Sequence, residues 1–409
     1  MKAVVFTLGC KVNEVESAAI MAALEEKGLQ VSDSLAPADI YVLNTCAVTA
    51  EAERKSRQLI ARVRKFNPRA GIYVCGCASE KNAAQFSKEG VRFICGAKDK
   101  QQIVQAVLSD ALGKEVECGG LGIPKAVRTR AFVKIEDGCN NFCSYCVIPY
   151  LRGRVVSRPI SAVVSEVRSL PSPEIVLTGI NISAYNVEEG GLGALLSALA
   201  FTDKRVRLGS LECGVITPEF LSACAQLKNF APQFHLSLQS GSDRVLKAMS
   251  RHYTRAEYLQ KCALIYSAFP DAAITTDIIA GFCGESEEDF SDSLSIIEEA
   301  GFARVHAFAF SPREGTAAYK LPNLPADVKS RRLHALLSAA SAASERYITA
   351  RLGRCYDVIF EDFDGEYTSG YTAGYIRVYA EGEIKGSAKV KLVGLFRDGA
   401  VCEVIIEGN

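Results

Sequence analysis

The feature that most constrains the fold is a repeated alternation of short apolar runs with helical segments. In the first ~110 residues the apolar runs AVVFTL, DIYVLN, GIYVC and VRFIC are each followed by a segment with helical periodicity. Continuous apolar runs are typical of parallel strands that are buried on both faces. The pattern therefore predicts an N-terminal doubly wound α/β domain over residues 1–118.

A second series of the same kind begins at residue 131. Six apolar runs follow one another with helical segments between them: AFVKI, EIVLTG, VRLGS, FHLSL, AAITTDIIAGF and ARVHAFAF. Six such units predict a partial (β/α)6 barrel over residues 125–350, with a glycine-rich linker at 119–125 before it and a long helix at 326–350 at its end. In such barrels the reactive groups lie at the carboxyl ends of the strands.

The pattern changes again near Gly353. The runs YDVIFED, YTSGYTAGYIRVYAEGE, AKVKLVGLF and AVCEVIIEG are short, β-rich and separated by turns. They predict a small C-terminal β-barrel over residues 351–409. Three domains agree with a length of 409 residues, because single hydrophobic cores stop growing at roughly 250–300 residues.

Composition narrows the class of protein. No apolar run approaches the ~20 residues that a membrane span requires, and the N-terminus lacks the features of a signal peptide. We therefore expect a cytoplasmic protein with no membrane partner. Fifteen cysteines in such a chain indicate metal or redox chemistry rather than a disulfide framework. The 47 basic and 47 acidic residues give no overall sign of nucleic-acid binding.

The strongest chemical motif is CxxxCxxC, formed by Cys139, Cys143 and Cys146 directly after the first strand of the second series. Three thiolates can bind three irons of a 4Fe-4S cluster and leave the fourth iron open to an external ligand. We predict a catalytic cluster at this position. The alternatives are a zinc site with a distant fourth ligand and a cysteine-rich loop without metal.

Three more cysteines follow successive predicted strands: Cys10, Cys46 and Cys77. Because the carboxyl ends of parallel strands meet at one edge of a sheet, we expect these thiols to converge and hold a second cluster. Cys75 and Cys95 also lie at strand ends, and sequence position does not choose among the five. Buried cysteines that act as small hydrophobic side chains are the other alternative.

Six segments together resemble the radical S-adenosylmethionine (SAM) methylthiotransferases over essentially the whole chain. They are TLGCKVNEVES (7–17), VLNTCAVTAEAERKSRQ (42–58), CGCASE (75–80), DGCNNFCSYCVIPYLRGRVVSR (137–158), LSLQSGSDRVLKAMSRHYT (236–254) and DIIAGFCGESEEDF (277–290). The GCKVN and NTCAVT forms are similar to the branch that modifies N6-threonylcarbamoyladenosine beside the anticodon of tRNA.

The resemblance implies roles for individual residues. Cys139, Cys143 and Cys146 match the ligands of the cluster that cleaves SAM. The auxiliary cluster that receives or carries the added sulfur is matched by Cys10, Cys46 and Cys77, and Cys75 falls outside the pattern. The residues that match groups near SAM or the substrate are Tyr145, Thr178, Gly179, Ser237 and Gln239.

The activity that the resemblance implies is addition of a methylthio group to C2 of N6-threonylcarbamoyladenosine. It would use two 4Fe-4S clusters, with SAM as both radical source and methyl donor. The implied partners are the tRNA anticodon loop, a reductant protein such as flavodoxin or ferredoxin, and an unknown sulfur donor. The third domain resembles the TRAM module, a small RNA-binding barrel.

Two other functions stay open from the sequence. One is the same chemistry on another tRNA adenosine or on a ribosomal protein side chain. The other is a non-catalytic RNA-binding protein in which the cysteines hold structural metal.

Local basic and aromatic groups are the candidates for RNA contact. The basic candidates are Arg54, Arg57, Arg62, Lys65 and Arg69 on one helix, Arg152, Arg154 and Arg158 beside the CxxxCxxC motif, and Arg377, Lys385, Lys389 and Lys391 in the third domain. Tyr367, Tyr371 and Tyr375 are candidates for base stacking, with packing inside the β domain as the alternative.

Overall fold

The computed structural model describes residues 1–88, 90–113 and 129–405. The chain divides into two compact units. The first unit comprises Met1–Lys125, Glu136–Val156 and Ser311–Lys320, and the second comprises Ala126–Ile135, Ser157–Phe310 and Leu321–Asn409. The predicted linker at 119–125 and the domain boundaries at 118 and 125 lie outside the described residues, and the division into three domains stays a prediction.

A five-stranded parallel sheet forms the centre of the first unit. Its strands are β1 (Lys2–Thr7), β2 (Gln30–Ser32), β3 (Ile40–Thr45), β4 (Gly71–Gly76) and β5 (Val91–Ile94). They lie in the order β2-β1-β3-β4-β5, so the direction of winding reverses between β1 and β3. Four of the strands are the predicted apolar runs. Strand β2 was not predicted, because none of its three side chains is buried.

Helices cover both faces of this sheet. They are α1 (Lys11–Glu26), α2 (Ala50–Phe66), α3 (Cys77–Lys81) and α4 (Lys100–Leu112), and α5 (Ile148–Arg152) belongs to the same unit. Leu24 of α1 and Val107 of α4 are buried in one hydrophobic cluster, and Leu59 and Val63 of α2 are buried in another. All side chains of β3 and β4 are buried, which explains their continuous apolar sequence.

The second unit contains the six strands of the second predicted series. They are β6 (Arg130–Lys134), β9 (Glu174–Thr178), β12 (Arg205–Leu208), β14 (Gln233–Leu236), β15 (Ala273–Ala280) and β16 (Arg304–Ala309). These six strands belong to two sheets, β12-β9-β6 and β13-β14-β15-β16. The additional short strand β13 (Ser210–Leu211) follows β12 after one residue. Every neighbouring pair is parallel, so the predicted parallel α/β architecture is confirmed.

The remaining short strands are β7 (Glu136–Asp137), β8 (Val156–Ser157), β10 (Asn186–Val187) and β11 (Gly190–Gly191). The helices of the second unit are α6 (Ile160–Ser169), α7 (Leu192–Ala198), α8 (Pro218–Ala225), α9 (Asp243–Ala248), α10 (Arg255–Ala268), α11 (Glu287–Glu299) and α12 (Ala326–Thr349). Short 3-10 helices occupy Ala83–Phe86, Ile182–Ala184, Cys213–Val215 and Ala317–Lys320. Within the described ranges, no helix has both the length and the apolar character needed to cross a bilayer.

Local sequence determines where several of these helices begin. Thr254 and Glu257 form a reciprocal capping box at the start of α10, and Ser286 and Asp289 do the same for α11. Each box satisfies backbone N–H groups that the first turn of a helix leaves without partners. The predicted helix at 326–350 is α12, which starts directly after Pro325.

A closed five-stranded β-barrel follows α12, as predicted. Its strands are β17 (Cys355–Phe363), β18 (Tyr367–Thr372), β19 (Arg377–Glu381), β20 (Ser387–Phe396) and β21 (Gly399–Val404), in the order β17-β18-β19-β21-β20. Alternating residues such as Val358, Phe360, Val390 and Leu392 fill its interior.

Buried charges join this barrel to the amino ends of β9 and β12. Arg207 donates to Glu174 Oε1 (2.7 Å) and to Ala373 O (2.9 Å). Arg205 donates to Asp357 O (3.1 Å) and Tyr371 O (3.3 Å). Glu174 and Arg207 are each only 1% exposed, so this pairing is shielded from solvent.

Two of the three tyrosines proposed for base stacking lie at this junction. The rings of Tyr371 and Tyr375 stack with centroids 4.8 Å apart. The Arg130 guanidinium lies 4.7 Å from the Tyr371 ring, and that of Arg207 lies 4.9 Å from the Tyr375 ring. The structure therefore favours the packing alternative for both tyrosines.

We predict that Glu174→Gln destabilises the protein by about 3–5 kcal/mol, because it leaves two buried guanidinium groups without their shared carboxylate. Urea denaturation followed by circular dichroism measures the change. The matched control is Asp203→Asn, which removes the exposed ion pair between Asp203 and Lys228 (2.9 Å) and is expected to cost less than about 1 kcal/mol. Equal losses in the two variants would contradict a stabilising role for the buried pair.

Candidate functional site

Three cysteines converge at the carboxyl edge of the first sheet. Cys10 directly precedes α1, Cys46 directly follows β3, and Cys77 opens α3 after β4. Burial raises the pKa of the Cys46 thiol, and the neighbouring Cys10 thiol raises it further. Burial also raises the pKa of Cys77 to about 11, and both Cys10 and Cys46 act on it. The structure thus brings the three predicted thiols together beside the point where the winding of the sheet reverses.

Glycine permits the close approach of two of these loops. Gly9 has a φ of +111°, and a Cβ there would lie 2.9 Å from Cys46 Cβ and 3.0 Å from Cys46 Sγ. Both the backbone conformation and the space exclude a larger residue. The glycine before Cys10 therefore allows the chain to pass directly against Cys46.

Buried amides hold the same loops in place. Asn13 Nδ2 donates to Leu8 O (2.8 Å) and Thr45 O (3.1 Å), which connects the segments after β1 and β3. Asn44 Nδ2 donates to Asn13 O (3.0 Å), and Ser56 Oγ accepts from the Cys46 amide (3.2 Å). Because buried polar groups require partners, these bonds position Cys10 and Cys46 accurately.

A buried guanidinium from a distant segment completes the site. Arg152, at the end of α5, is 4% exposed. It donates to Asn13 Oδ1 (2.7 Å), Glu16 Oε1 (3.0 Å) and Asp137 Oδ2 (3.0 Å), and it also hydrogen-bonds Cys77. The prediction that Arg152 contacts RNA phosphate is therefore wrong, because its side chain is enclosed in the protein.

A second buried arginine acts on Cys46. Arg313 is 4% exposed, forms an ion pair with Glu53 of α2, and opposes the rise in the pKa of Cys46. Glu53 also pairs with Arg57 (3.2 Å) and Lys81 (3.3 Å). Sequence reasoning missed Arg313, because 260 residues separate it from its partner and no local pattern marks it.

The residues present fit an iron-sulfur cluster. Cluster thiolates and sulfides are anionic and accept hydrogen bonds. Arg152 and Arg313 supply two positive charges, and each has a buried Nε–H that no described atom accepts. Across the described residues, no group of three or more His, Cys, Asp or Glu is arranged to hold a single metal ion.

The alternative ligands Cys75 and Cys95 have different surroundings. Both belong to the hydrophobic cluster that contains Leu24 and Val107, whereas Cys77 belongs to the cluster on the other face. Burial raises the pKa of Cys95 to about 12 and that of Cys75 well above its ordinary value. The structure therefore separates Cys75 and Cys95 from Cys77, because they pack in a different hydrophobic cluster.

The CxxxCxxC motif lies in the same unit, between β7 and α5. The Cys139 amide donates to Gly153 O (3.0 Å), the Cys146 amide donates to Cys143 O (2.9 Å), and Ser144 O accepts from the Ala318 amide (2.7 Å). Cys143 is buried, and Cys139 and Cys146 are half-buried. The loop is thus held by its backbone while the outer thiols stay accessible.

The predicted SAM-binding residues are divided between the two units. Tyr145 is half-buried in the first unit. Thr178 ends β9, and Gly179 follows it. Ser237 directly follows β14, and the Gln239 amide donates to Asp277 O (2.8 Å). These four residues of the second unit all lie at carboxyl ends of strands, where barrels carry reactive groups.

The second unit also contains a polar cluster that the sequence reasoning did not assign. His235 of β14 lies 3.0 Å from Thr275 Oγ1 through Nδ1 and 3.2 Å from Asp277 Oδ2 through Nε2. The His306 ring of β16 is 5.9 Å from the His235 ring, centroid to centroid. The sequence signal that could have located this cluster is the alternation of the histidines with apolar residues in FHLSL and RVHAF.

Two family models match the chain. The uncharacterized protein family UPF0004 matches residues 2–96, and the Radical SAM superfamily matches residues 133–297. The first match covers β1 to β5 with Cys10, Cys46 and Cys77. The second covers the CxxxCxxC motif and most of the second strand series.

Curated relatives match over nearly the full length. Threonylcarbamoyladenosine tRNA methylthiotransferase MtaB of Chlamydia pneumoniae is 37% identical over 380 residues, which cover 91% of this chain and 89% of that protein. The tRNA-2-methylthio-N(6)-dimethylallyladenosine synthase of Fervidobacterium nodosum is 35% identical over 381 residues, 88% of each chain.

A solved structure supports the fold. The radical S-adenosylmethionine methyltransferase TsrM from Kitasatospora setae superposes with a TM-score of 0.53 at 13% identity, over 75% of this chain and 72% of that one. At this identity the likeness concerns the fold alone.

We predict that Arg152→Met impairs iron binding at the first-sheet thiols, because it removes a buried positive charge and the hydrogen bond to Cys77. The measurement is iron and sulfide content after anaerobic reconstitution, in a Cys143→Ala background that disables the other motif. The control is Arg154→Met, an exposed arginine two positions away, which is expected to keep the iron of its parent. Equal iron content in both variants would contradict the role of Arg152.

Proposed function

The chain belongs to the MtaB-like radical SAM methylthiotransferases, and we propose that it adds a methylthio group to C2 of N6-threonylcarbamoyladenosine beside the anticodon of tRNA. One observation carries the proposal: Cys10, Cys46 and Cys77 converge in the same compact unit as the CxxxCxxC motif. Relatives named for this product add support.

Membership of the family implies one 4Fe-4S cluster and SAM. We assign that cluster to Cys139, Cys143 and Cys146, and we assign a second 4Fe-4S cluster to Cys10, Cys46 and Cys77. When bound, these groups would supply radical chemistry, with SAM as radical source and methyl donor. Such chemistry is required because the C2–H bond is too weakly acidic for a side-chain base near neutral pH.

The protein's own contribution is charge, orientation and exclusion of water. Cys46 and Cys77 are buried and Cys10 is exposed, so the auxiliary group would be covered by protein on one side and open to solvent at Cys10. Arg152 follows the CxxxCxxC motif by six residues and hydrogen-bonds Cys77. A single guanidinium therefore connects the loop of one cysteine set to a ligand of the other.

The remaining assignments follow the family resemblance. We propose that Tyr145, Thr178, Gly179, Ser237 and Gln239 bind SAM or the substrate nucleoside. The partners we propose are the tRNA anticodon loop and a reductant protein such as flavodoxin or ferredoxin, and a tRNA substrate favours a cytoplasmic location.

The closed barrel after α12 supports a TRAM-like domain at residues 351–409. The other two proposed domains are the N-terminal domain at 1–118 and the partial barrel at 125–350. Because Tyr371 and Tyr375 stack within the protein, we place any RNA contact of this domain on its lysines. These are Lys385, Lys389 and Lys391.

The substrate is tested with the full chain, reconstituted anaerobically and supplied with SAM and dithionite. Two tRNAs are compared, one with N6-threonylcarbamoyladenosine and one with N6-dimethylallyladenosine. Mass spectrometry of the nucleosides is expected to detect a methylthio product only from the first. Because the chain is also similar to a dimethylallyladenosine synthase, the second tRNA tests the main alternative substrate. A product from that tRNA alone would reject the proposed substrate.

We predict that the two sets of cysteines have different functions. Cys10→Ala, Cys46→Ala and Cys77→Ala are expected to abolish the methylthio product while 5′-deoxyadenosine still forms from SAM, whereas Cys143→Ala abolishes both. Chromatography of the reaction mixture measures the two products together. Cys75→Ala is the matched control, since Cys75 lies two residues before Cys77 in the hydrophobic core, and it is expected to form both products.

A different pattern would change the assignment. If Cys75→Ala lost the methylthio product and Cys77→Ala kept it, the auxiliary ligand would be Cys75. If Cys143→Ala still cleaved SAM, the assignment of the catalytic cluster would be wrong.

A further inference from the structure

Two aromatic side chains lie at the surface of the first unit, one within the CxxxCxxC motif and one four residues after it. Phe142 directly precedes Cys143 and has a φ of 47°, a left-handed conformation that few non-glycine residues adopt. Its ring meets the ring of Tyr150 edge to face, with centroids 5.4 Å apart. Tyr150 is 58% exposed, so more than half of a large, stackable side chain faces solvent.

One cation lies against this aromatic pair, and a second lies over the nearby Gly153. The Arg154 guanidinium lies 4.6 Å from the centroid of Phe142. Lys98 Nζ lies over Gly153, where an added Cβ would be only 2.7 Å from it. Gly153 has a φ of +81°, so glycine both permits this turn and leaves room for the lysine.

The charges of Lys98 and Arg154 are available for an external partner. Both side chains are exposed, and no carboxylate of the described residues forms an ion pair with either one. The arginines that position the cysteine site are different, because Arg152 and Arg313 are buried and paired with carboxylates. Four residues thus define one surface, here called the Tyr150 surface: Lys98, Phe142, Tyr150 and Arg154.

An exposed aromatic ring flanked by unpaired cations matches the chemistry of single-stranded nucleic acid. A base stacks on an aromatic face whatever its sequence, and lysine or arginine contacts the neighbouring phosphates. A role in the protein core does not account for Tyr150, since most of its side chain is outside the core. A buried ion-pair network does not account for Lys98 or Arg154.

We propose that the Tyr150 surface holds a nucleotide of single-stranded RNA next to the nucleoside that is modified, with its base on Tyr150 and its phosphates at Lys98 and Arg154. The inference rests on the proposed function, because it takes the substrate to be a tRNA loop. It adds the residues that would hold a neighbouring nucleotide: Phe142, Tyr150 and Arg154 lie within or just after the CxxxCxxC motif, and Lys98 lies between β5 and α4.

The test is binding of a fluorescent anticodon stem-loop RNA to the reconstituted full chain under anaerobic conditions. Tyr150→Ala is expected to weaken binding about tenfold or more, and Tyr150→Phe to bind like the parent, since the phenyl ring still stacks. Lys98→Gln and Arg154→Gln are each expected to reduce the slope of log K against log salt by about 0.7. Thermal melts and iron content confirm that every variant is folded and loaded.

The matched control is Phe201→Ala. Phe201 is also partly exposed and also lies beside a guanidinium, that of Arg168 at 4.5 Å from its centroid, but it belongs to the second unit. Its loss is expected to leave the dissociation constant for the RNA within about twofold of the parent's. A comparable loss of affinity in Phe201→Ala and Tyr150→Ala would overturn a specific role for the Tyr150 surface.

Three further outcomes would also reject the proposal. If Tyr150→Ala binds RNA like the parent but loses SAM cleavage with flavodoxin and keeps it with dithionite, the surface docks the reductant protein instead. If the parent itself binds no stem-loop RNA, the proposed function fails as well. Parental binding with an unaffected Tyr150→Ala variant rejects only the inference about this surface.

Discussion

The buried guanidinium of Arg152 is the interaction on which the rest of the site depends. A charge removed from water is tolerated only when it is paired and hydrogen-bonded. Arg152 meets this requirement with Glu16, Asp137 and Asn13, and it also bonds Cys77. Its partners come from α1, β7 and the start of α3, so satisfying one side chain brings together the segments that carry both sets of cysteines.

The same principle operates at the other end of the strands in the second unit. Glu174 and Arg205 begin β9 and β12, and together with Arg207 of β12 they join these strands to the C-terminal barrel. The carboxyl ends of the strands carry polar residues such as Thr178 and Ser237 instead. Buried ion pairs thus stabilise one end of the strand array, and the other end keeps side chains suited to ligands.

Much of the fold was predictable because a strand that is buried on both faces has a continuous apolar sequence. β3 and β4 are buried throughout, so their apolar runs are continuous. β2 has three residues and no buried side chain, so its sequence contains no apolar run that would predict a strand. The cysteines at the ends of β1, β3 and β4 were predictable for a related reason, since parallel strands bring their carboxyl ends to one edge.

The sequence by itself determined the succession of strands and helices, the family and the six cysteines that match its motifs, because these depend on local periodicity and spacing. Only the tertiary structure decided which arginines face water. Arg152 and Arg154 are two positions apart on one basic segment, yet the first is buried against Glu16 and the second is exposed beside Phe142. Burial and charge pairing depend on groups that are distant in the chain, and no local pattern records them.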